Sequence, residues 1–142
     1  MTITAALLTT VIAISDGDTL TALTANHQQL KVRIAAIDAP ERRQPYGARS
    51  RQALATLCFR QEAEILVLSR DRYGRSVGVV RCQGKDAGSS QLEAGMAWVY
   101  PQYARDFPGY PALQAEAQAS RRGLWSAPDP VAPWEWRRAP RD

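Results

Sequence analysis

Acidic residues and arginines gather in three short segments of the sequence. The segments are Asp16-Gly17-Asp18-Thr19, the stretch from Arg33 to Glu41, and the stretch from Asp71 to Arg75. Glycine and proline beside these charges indicate that each segment ends a strand or forms a turn. Hydrolysis of a phosphodiester requires neutralisation of charge on the phosphoryl oxygens and delivery of a deprotonated water. Carboxylates combined with guanidinium groups indicate that chemistry.

Asp18 and Asp38 carry the oxygen donors that a hard divalent cation prefers. Calcium takes six to eight oxygen ligands, so two carboxylates and a carbonyl leave positions for phosphate and water. Ala39 precedes Pro40, which favours an extended backbone whose carbonyl can turn toward an ion held by Asp38. Asp18, Asp38 and the Ala39 carbonyl are therefore candidate ligands for one hard cation such as calcium. Glu41 can reach a water on that ion from outside the inner shell, which is the position of a general base.

Arg33 and Arg75 are the candidates for stabilising the transition state. Two planar, permanently charged groups on opposite sides of one phosphate would stabilise a pentacovalent phosphorus. Each segment alone has a simpler interpretation: a surface arginine, an acidic turn, or the start of a helix. The functional prediction therefore depends on their conjunction.

Several other reaction classes lack their residues in this chain. His27 is the only histidine, which excludes mechanisms that need a histidine pair. The sequence has no Walker-type glycine loop, no nucleophile elbow and no cysteine–histidine pair. Metal-assisted hydrolysis remains.

Length and charge indicate a single, moderately basic domain. The chain has 142 residues and a net charge of +4, and Lys31 and Lys85 are the only lysines among 18 basic residues. Guanidinium groups bind phosphate oxygens in pairs, so a polyanionic partner fits this composition. Ordinary solvated surface charge fits it equally well.

The apolar segments and cysteines bear on the compartment. No apolar run is long enough to span a bilayer, so we expect no membrane partner. The stretch from Ile3 to Ile14 lacks the basic start and cleavage site of a secretory leader, and we interpret it as a strand. Cys58 and Cys82 form either a disulfide, which would imply an oxidising compartment, or two reduced core thiols.

The element pattern predicts an α+β fold that is mainly β. Five strands with a helix between the third and fourth are the order of an OB-type Greek-key barrel, and two further helices make three. The strands are predicted at Leu7–Ile14, Thr19–Thr24, Leu30–Ile37, Ala63–Ser69 and Ser76–Cys82. The helices are predicted at Ala48–Phe59, from a Ser89 or Ser90 cap to Gly95, and at Tyr110–Arg122.

Residues 1–126 are predicted to form this domain, and residues 127–142 a separate, irregular tail. The tail is rich in proline and contains Trp134-Glu135-Trp136-Arg137-Arg138. Tryptophans beside arginines can stack on single-stranded nucleic acid. Aromatic rings in such a tail more often pack on the preceding domain, so we expect the tail to dock on the barrel.

The acidic and arginine segments, in this order and within this strand pattern, resemble the staphylococcal nuclease (thermonuclease) family. The resemblance extends from about Val11 to Trp125. It includes Asp16-Gly17-Asp18-Thr19, Arg33 to Glu41, Tyr46-Gly47, Asp71 to Arg75, Gly95-Met96-Ala97 and Gly123-Leu124-Trp125.

This resemblance implies a role for each candidate residue. Asp18, Asp38 and the Ala39 carbonyl would hold calcium, and Arg33, Glu41 and Arg75 would be catalytic. Tyr73 would lie near the phosphate beside Arg72, and Tyr100 or Tyr103 would flank the nucleotide. The family hydrolyses DNA and RNA to products with 3′-phosphate ends. We therefore expect a calcium-dependent endonuclease with little sequence preference that favours single strands.

A nucleic-acid-binding OB-type module without catalysis is the alternative, and a missing acid or arginine would be its mark. A partner-recruiting domain that uses the tryptophan tail is a third hypothesis. Export to the periplasm or the exterior is expected from the possible disulfide and the family's habit, while the cytoplasm stays open. A monomer is expected for a small barrel.

Overall fold

Eight strands and four α-helices lie in residues 6–140, the part of the chain that this computed structural model describes. The strands are β1 Leu7–Asp16, β2 Thr19–Leu23, β3 Gln29–Ile34, β4 Ile37–Asp38, β5 Glu62–Arg70, β6 Ser76–Cys82, β7 Lys85–Asp86 and β8 Trp98–Val99. The helices are α1 Gly47–Cys58, α2 Ala87–Glu93, α3 Tyr110–Ala119 and α4 Pro133–Arg138, with 3-10 helices at Pro101–Asp106 and Gly123–Ser126.

Five strands close into a barrel. Their order is β3-β2-β1-β5-β6, and a parallel pairing of β3 with β6 joins the two ends. All other pairings around the barrel are antiparallel. The mainly β fold with a closed five-stranded OB-type barrel and helices confirms the fold class predicted from the sequence.

The barrel strands form because their apolar residues alternate. In β3, Val32 and Ile34 are buried, while Lys31 is exposed and Arg33 is only partly buried. Side chains two residues apart point to the same face of a strand, so this alternation gives one apolar and one polar face. Arg33 consequently lies outside the core, free to take part in a polar site.

The third strand is shorter than the predicted Leu30–Ile37. It ends at Ile34, and Ala36 takes a positive φ of 66° that turns the chain. Alanine has no branched side chain to favour an extended backbone, and the turn is held because Tyr100 donates its N–H to the Ala36 carbonyl at 2.9 Å. Residues after the turn form β4, which pairs with β8 instead of continuing the barrel.

The start of α2 also differs from the prediction. Asp86, rather than Ser89 or Ser90, caps the helix, and its carboxylate accepts the N–H groups of Gly88 and Ser89. An aspartate at this position satisfies N–H groups that have no partner within the helix. Tyr110 at the start of α3 donates its hydroxyl to the same carboxylate at 2.9 Å, so the cap also joins two helices.

The sequence predicted an irregular tail, but the structure shows that the tail contains the helix α4. Pro133 occupies the first turn of this helix, where a backbone N–H has no intrahelical partner to lose. Arg137 and Arg138 lie in the last turn, where cations complement the helix dipole. The three α-helices predicted for residues 1–126 are present as α1, α2 and α3, and α4 is an additional helix within the tail.

The stretch from Ile3 to Ile14 was predicted to be a strand, and the structure shows strand β1 from Leu7 onward. Ile3 to Ala5 lie outside the described residues. None of the helices described between residues 6 and 140 combines the length and apolar composition needed to cross a membrane.

Cys58 at the end of α1 and Cys82 at the end of β6 form a disulfide. Their Cα atoms are 5.3 Å apart, both residues are fully buried, and 24 positions separate them in the chain. The bond ties the helix that covers the barrel to one of the barrel strands. The sequence left open whether these cysteines form a disulfide or remain reduced thiols, and the structure shows the disulfide.

We predict that the double variant Cys58→Ser, Cys82→Ser is less stable than the wild type. Loss of a cross-link over this separation frees the unfolded chain and should lower the free energy of unfolding by about 3 kcal/mol. Urea unfolding measures the difference. The wild type in strong reductant should approach the variant, and a difference below about 0.5 kcal/mol would mean that the bond contributes little.

Candidate active site

Asp18 and Asp38 meet at one end of the barrel although 20 residues separate them. Asp18 precedes β2 and Asp38 ends β4, and both are buried at 6% and 1% exposure. The backbone N–H of Ala39 donates to Oδ2 of Asp18 at 2.8 Å, which joins the two segments directly. Thr19 donates its hydroxyl to Oδ1 of Asp18, also at 2.8 Å. The turn at Ala36 makes this meeting possible, since it carries Asp38 away from the line of β3.

Arg33 lies between the two aspartates. Its Nη2 atom is 3.5 Å from Asp18 and 3.4 Å from Asp38. Its Nη1 atom donates to the carbonyls of Ile34 at 2.9 Å and Ile37 at 2.7 Å. The guanidinium group is therefore fixed by the backbone turn and neutralises two buried carboxylates at once.

Burial and neighbouring charges shift the pKa values of the three aspartates in different directions. Burial alone would raise the pKa of Asp18, but the Arg33 charge and several hydrogen bonds outweigh it and hold that pKa below its usual value. Burial raises the pKa of Asp38 despite a hydrogen bond from Arg137. Burial and the adjacent Asp18 charge raise the pKa of Asp16 to about 7. Of these three aspartates, Asp18 is therefore the one whose ionised form the site favours.

Glu41 lies at the rim of the site, with 36% of its side chain exposed. Gln44 holds its loop, because Glu41 donates its N–H to the Gln44 amide oxygen at 3.0 Å. The Gly47 backbone packs so closely on the Glu41 carbonyl that a side chain at position 47 would overlap it. Asp18, Asp38 and Glu41 together are called the acid cluster below.

Arg137 in α4 is one of two residues at this site that were not predicted from the sequence. Its Nη2 donates to Oδ2 of Asp38 at 2.7 Å, and its Nη1 contacts Oδ1 of Asp38 at 3.3 Å and Oε1 of Glu41 at 2.7 Å. The tryptophan- and arginine-rich composition of the tail was the signal in the sequence that pointed to a role for Arg137. The sequence does not indicate which surface the tail contacts, so Arg137 could not be assigned to this site. One guanidinium group therefore bridges two members of the acid cluster.

Aromatic packing and a backbone contact hold the tail in place. The Trp134 ring stacks on Tyr100, with centroids 5.7 Å apart and planes at 29°, and meets Trp98 edge-on at 5.7 Å. The Gln44 amide donates to the Val131 carbonyl at 2.5 Å. Gln44 therefore fixes both the Glu41 loop and the tail, so the two approach each other in a defined geometry.

The other predicted arginine, Arg75, lies in the turn between β5 and β6. Its Nε donates to Asp71 at 2.7 Å, and its guanidinium group lies 5.4 Å from the centre of the Tyr73 ring. Arg72 lies over the same ring at 5.1 Å, and Tyr73 is 70% exposed. The structure thus gathers these three candidates in one exposed turn, and within residues 6–140 Arg75 makes no ion pair with the acid cluster.

The turn is next to the site along the barrel, since the parallel pairing places Ser76 opposite Val32 and Val77 opposite Arg33. Tyr100 and Tyr103, predicted to flank the nucleotide, lie outside this turn, just after β8. Tyr100 and Tyr103 pack edge to face with centroids 5.5 Å apart, and Tyr103 is 52% exposed. Trp134 covers part of Tyr100, which leaves Tyr103 the more accessible ring.

Gln91 in α2 is a second residue that the sequence analysis missed. Its side-chain amide donates to the carbonyl of Gly17 at 2.8 Å and to that of Ser50 at 3.0 Å, and the residue is 2% exposed. Gly17 lies between two aspartates, where an added side chain would overlap Ser50. Gln91 thereby anchors the turn that presents Asp18.

Asp18 and Asp38 fit a hard cation by donor type and by the approach of their oxygens to a common neighbour. Oxygens of Asp18 and Asp38 reach the same nitrogen of Arg33, as the ligands of one ion must converge on one point. Within the described residues no group of three or more histidine, cysteine, aspartate or glutamate side chains is arranged to hold a metal. Two carboxylates with the neighbouring Ala39, which is 3% exposed, remain the candidate ligand set.

Comparison with known proteins identifies a protein family that this chain matches. A family model described as staphylococcal nuclease homologue matches residues 31–127. That range contains Arg33, Asp38, Glu41 and Arg75, whereas Asp18 lies before it and Arg137 after it.

Individual relatives extend the match over most of the chain. An uncharacterized endonuclease of Haemophilus influenzae is 42% identical over 128 residues, which are 90% of this chain and 71% of the relative. A micrococcal nuclease of Shigella flexneri is 43% identical over 140 residues, covering 91% of this chain and 79% of that protein. A probable staphylococcal-like nuclease of Oryza sativa is 37% identical over 115 residues, 81% of this chain but 34% of the plant protein.

We predict that Gln91→Met lowers the free energy of unfolding by about 1–3 kcal/mol, because it leaves the buried Gly17 carbonyl without this donor and removes the second hydrogen bond to the helical Ser50 carbonyl. Chemical unfolding measures this loss. Gln52→Met is the matched control, since Gln52 is exposed on α1 and its side chain bonds, among the described residues, to the exposed Thr56. Equal stability of the two variants would mean that the Gln91 contacts do not support the Asp18 turn.

Proposed function

The chain belongs to the staphylococcal nuclease family, and we infer from this and from the acid cluster that it is a metal-dependent endonuclease. Its substrates are DNA and RNA, cleaved with little sequence preference to give 3′-phosphate ends. The observation that carries the proposal is the convergence of Asp18 and Asp38 on Arg33, with Glu41 at the open rim of the same site. The three carboxylates of the acid cluster outnumber the two guanidinium groups that contact them among the described residues, so the site can accept a further cation.

Calcium is the proposed cofactor, held as one ion by Asp18, Asp38 and the Ala39 carbonyl. When bound, it would supply Lewis-acid stabilisation of phosphoryl charge and would favour ionisation of the attacking water. Carboxylate and carbonyl oxygens suit calcium, whereas the softer metals prefer sulfur or imidazole, which the acid cluster lacks. A ligand must be ionised to bind, so the lowered pKa of Asp18 favours its role, whereas the raised pKa of Asp38 means that its ionisation would be coupled to binding of the ion.

The chain's own residues divide the remaining work. Glu41, at the exposed rim, is proposed to accept the proton of the attacking water, since a base must contact both solvent and substrate. Arg33 already has its guanidinium group fixed by two carbonyls, so it can stabilise transition-state charge without reorganising. Arg75 is proposed to do so from the adjacent turn, where Asp71 orients it.

Substrate binding is assigned to exposed aromatic and basic groups. Tyr73 with Arg72 is proposed to contact the phosphate, and Tyr103 with the accessible part of Tyr100 to stack on a base. Stacking on a base requires that base to be unpaired, which is the reason to expect a preference for single strands. We propose a monomer, and the Cys58–Cys82 disulfide supports export to the periplasm or the exterior, where such bonds persist.

We predict that a calcium chelator abolishes cleavage of single-stranded DNA and that added calcium restores it. Gel analysis of the fragments, with a phosphatase step to identify the 3′-phosphate ends, measures both features. Undiminished cleavage in chelator would contradict the metal dependence. Binding of DNA without cleavage at any calcium concentration would instead favour the non-catalytic OB-type module.

We predict that Arg33→Lys and Arg75→Lys reduce kcat by about 100-fold while nucleic-acid affinity changes much less, because an ammonium group cannot make the paired contacts of a guanidinium group. Single-turnover cleavage and fluorescence anisotropy measure the two quantities. Arg81→Lys is the control, since Arg81 is exposed near the far end of β6. Equal losses of rate and affinity would argue against transition-state roles.

A further inference from the structure

Arg137 occupies a defined place among the proposed catalytic groups although it lies outside the span that the family model matches. It contacts both oxygens of Asp38 and one oxygen of Glu41. Two residues fix the segment that carries it: the Trp134 ring packs on both Tyr100 and Trp98, and the Val131 carbonyl accepts a hydrogen bond from Gln44. Arg137 is therefore held at the site and does not merely touch it from a free end.

The Glu41 contact leaves the carboxylate able to act as a base. Arg137 donates to Oε1 only, and Oε2 receives no hydrogen bond from any residue between 6 and 140. A carboxylate held by one oxygen keeps a fixed orientation while its second oxygen still offers lone pairs to a water molecule. The same guanidinium group fixes Asp38, so the relative position of the two acids is set by one rigid, planar group.

The charge balance permits Arg137 to stay in place when a cation binds. The acid cluster has three carboxylates, and Asp16 adjoins it through Asp18, whereas Arg33 and Arg137 are the cations that contact these groups among the described residues. Negative charge remains in excess, and a divalent ion would offset it. Each carboxylate oxygen has two lone pairs, so Asp38 can accept a hydrogen bond and also bind an ion.

We propose that Arg137 is a positioning residue for the cleavage reaction, which orients Glu41 and Asp38 so that the C-terminal tail completes the active site. This inference rests on the proposed nuclease function and extends it beyond residues 31–127. Its consequence is that the tail is needed for turnover more than for binding substrate. Misplacement of a catalytic group by about 1 Å can cost 100-fold in rate, so the effect should be large.

The test compares Arg137→Ala with Arg138→Ala in the full chain. Both changes remove one positive charge from the last turn of α4, but within residues 6–140 Arg138 bonds to the Trp134 carbonyl and to no member of the acid cluster. At saturating calcium, kcat of Arg137→Ala should fall by about 10- to 100-fold, while KM changes by less than about threefold. Arg138→Ala should retain wild-type kcat. Equal effects of both variants would overturn the proposal by assigning the loss to charge alone.

Rescue experiments separate positioning from loss of folding. Arg137→Lys should regain part of the rate, because an ammonium group can contact one carboxylate oxygen at a time. Free guanidinium ion, well below denaturing concentrations, should partly restore Arg137→Ala and leave Arg138→Ala unchanged. Absence of rescue by both routes would overturn the proposal. Thermal unfolding of each variant verifies that it is folded, and Arg137→Lys carries the test if Arg137→Ala is not.

An experiment that does not depend on cleavage of substrate can test whether Arg137 stays in contact with Asp38 and Glu41. Nitrogen-15 NMR of arginine side chains detects guanidinium groups whose rotation is restricted by bidentate contacts. We expect the Arg137 signal to remain restricted in chelator and after calcium is added. Release on calcium addition, or faster cleavage by Arg137→Ala than by the wild type, would overturn the proposal and identify the tail as an inhibitory plug.

Failure of this inference can be told apart from failure of the proposed function. If the wild type does not cleave nucleic acid with calcium, the proposed function is wrong. If the wild type cleaves and Arg137→Ala matches it, the nuclease assignment stands and only the role of Arg137 is wrong.

Discussion

The pairing of Arg33 with two buried aspartates is the interaction on which the rest of the site depends. Asp18 and Asp38 would repel each other in a region of low dielectric, and each would pay a desolvation cost without a nearby cation. Arg33 contacts both carboxylates, and carbonyls on both sides of the Ala36 turn hold it in place. The turn at the end of β3, the burial of the acids and the orientation of the arginine therefore form one arrangement, in which each part requires the others.

Much of the fold and the centre of the site could be predicted from the sequence because the signals are local. Alternation in β3 shows that Arg33 lies on the face opposite Val32 and Ile34. The turn before Thr19 and the proline after Ala39 mark where strands end, and acids at strand ends can meet at a barrel rim. For these positions the chemistry of the residues and the geometry of their elements indicate the same conclusion.

The parts that could not be predicted depend on contacts between distant segments. Arg137 lies 96 positions from Glu41 in the chain, and Gln91 lies 74 from Gly17. No regular sequence spacing links such distant pairs. A glutamine is usually exposed, so nothing in the sequence indicated that Gln91 is buried. The Asp86 cap was missed because two serines offered a plausible alternative in the same segment. The tail appeared irregular since prolines mark both loops and the first turns of helices.

Calorimetric titration of calcium into the chelator-treated protein tests the central claim most directly. If Asp18 and Asp38 form one cation site, the wild type should bind a single ion per chain, and Asp18→Asn and Asp38→Asn should each abolish or greatly weaken that binding while the protein stays folded. Calcium binding that persists unchanged in both variants, or no binding by the wild type, would contradict the account.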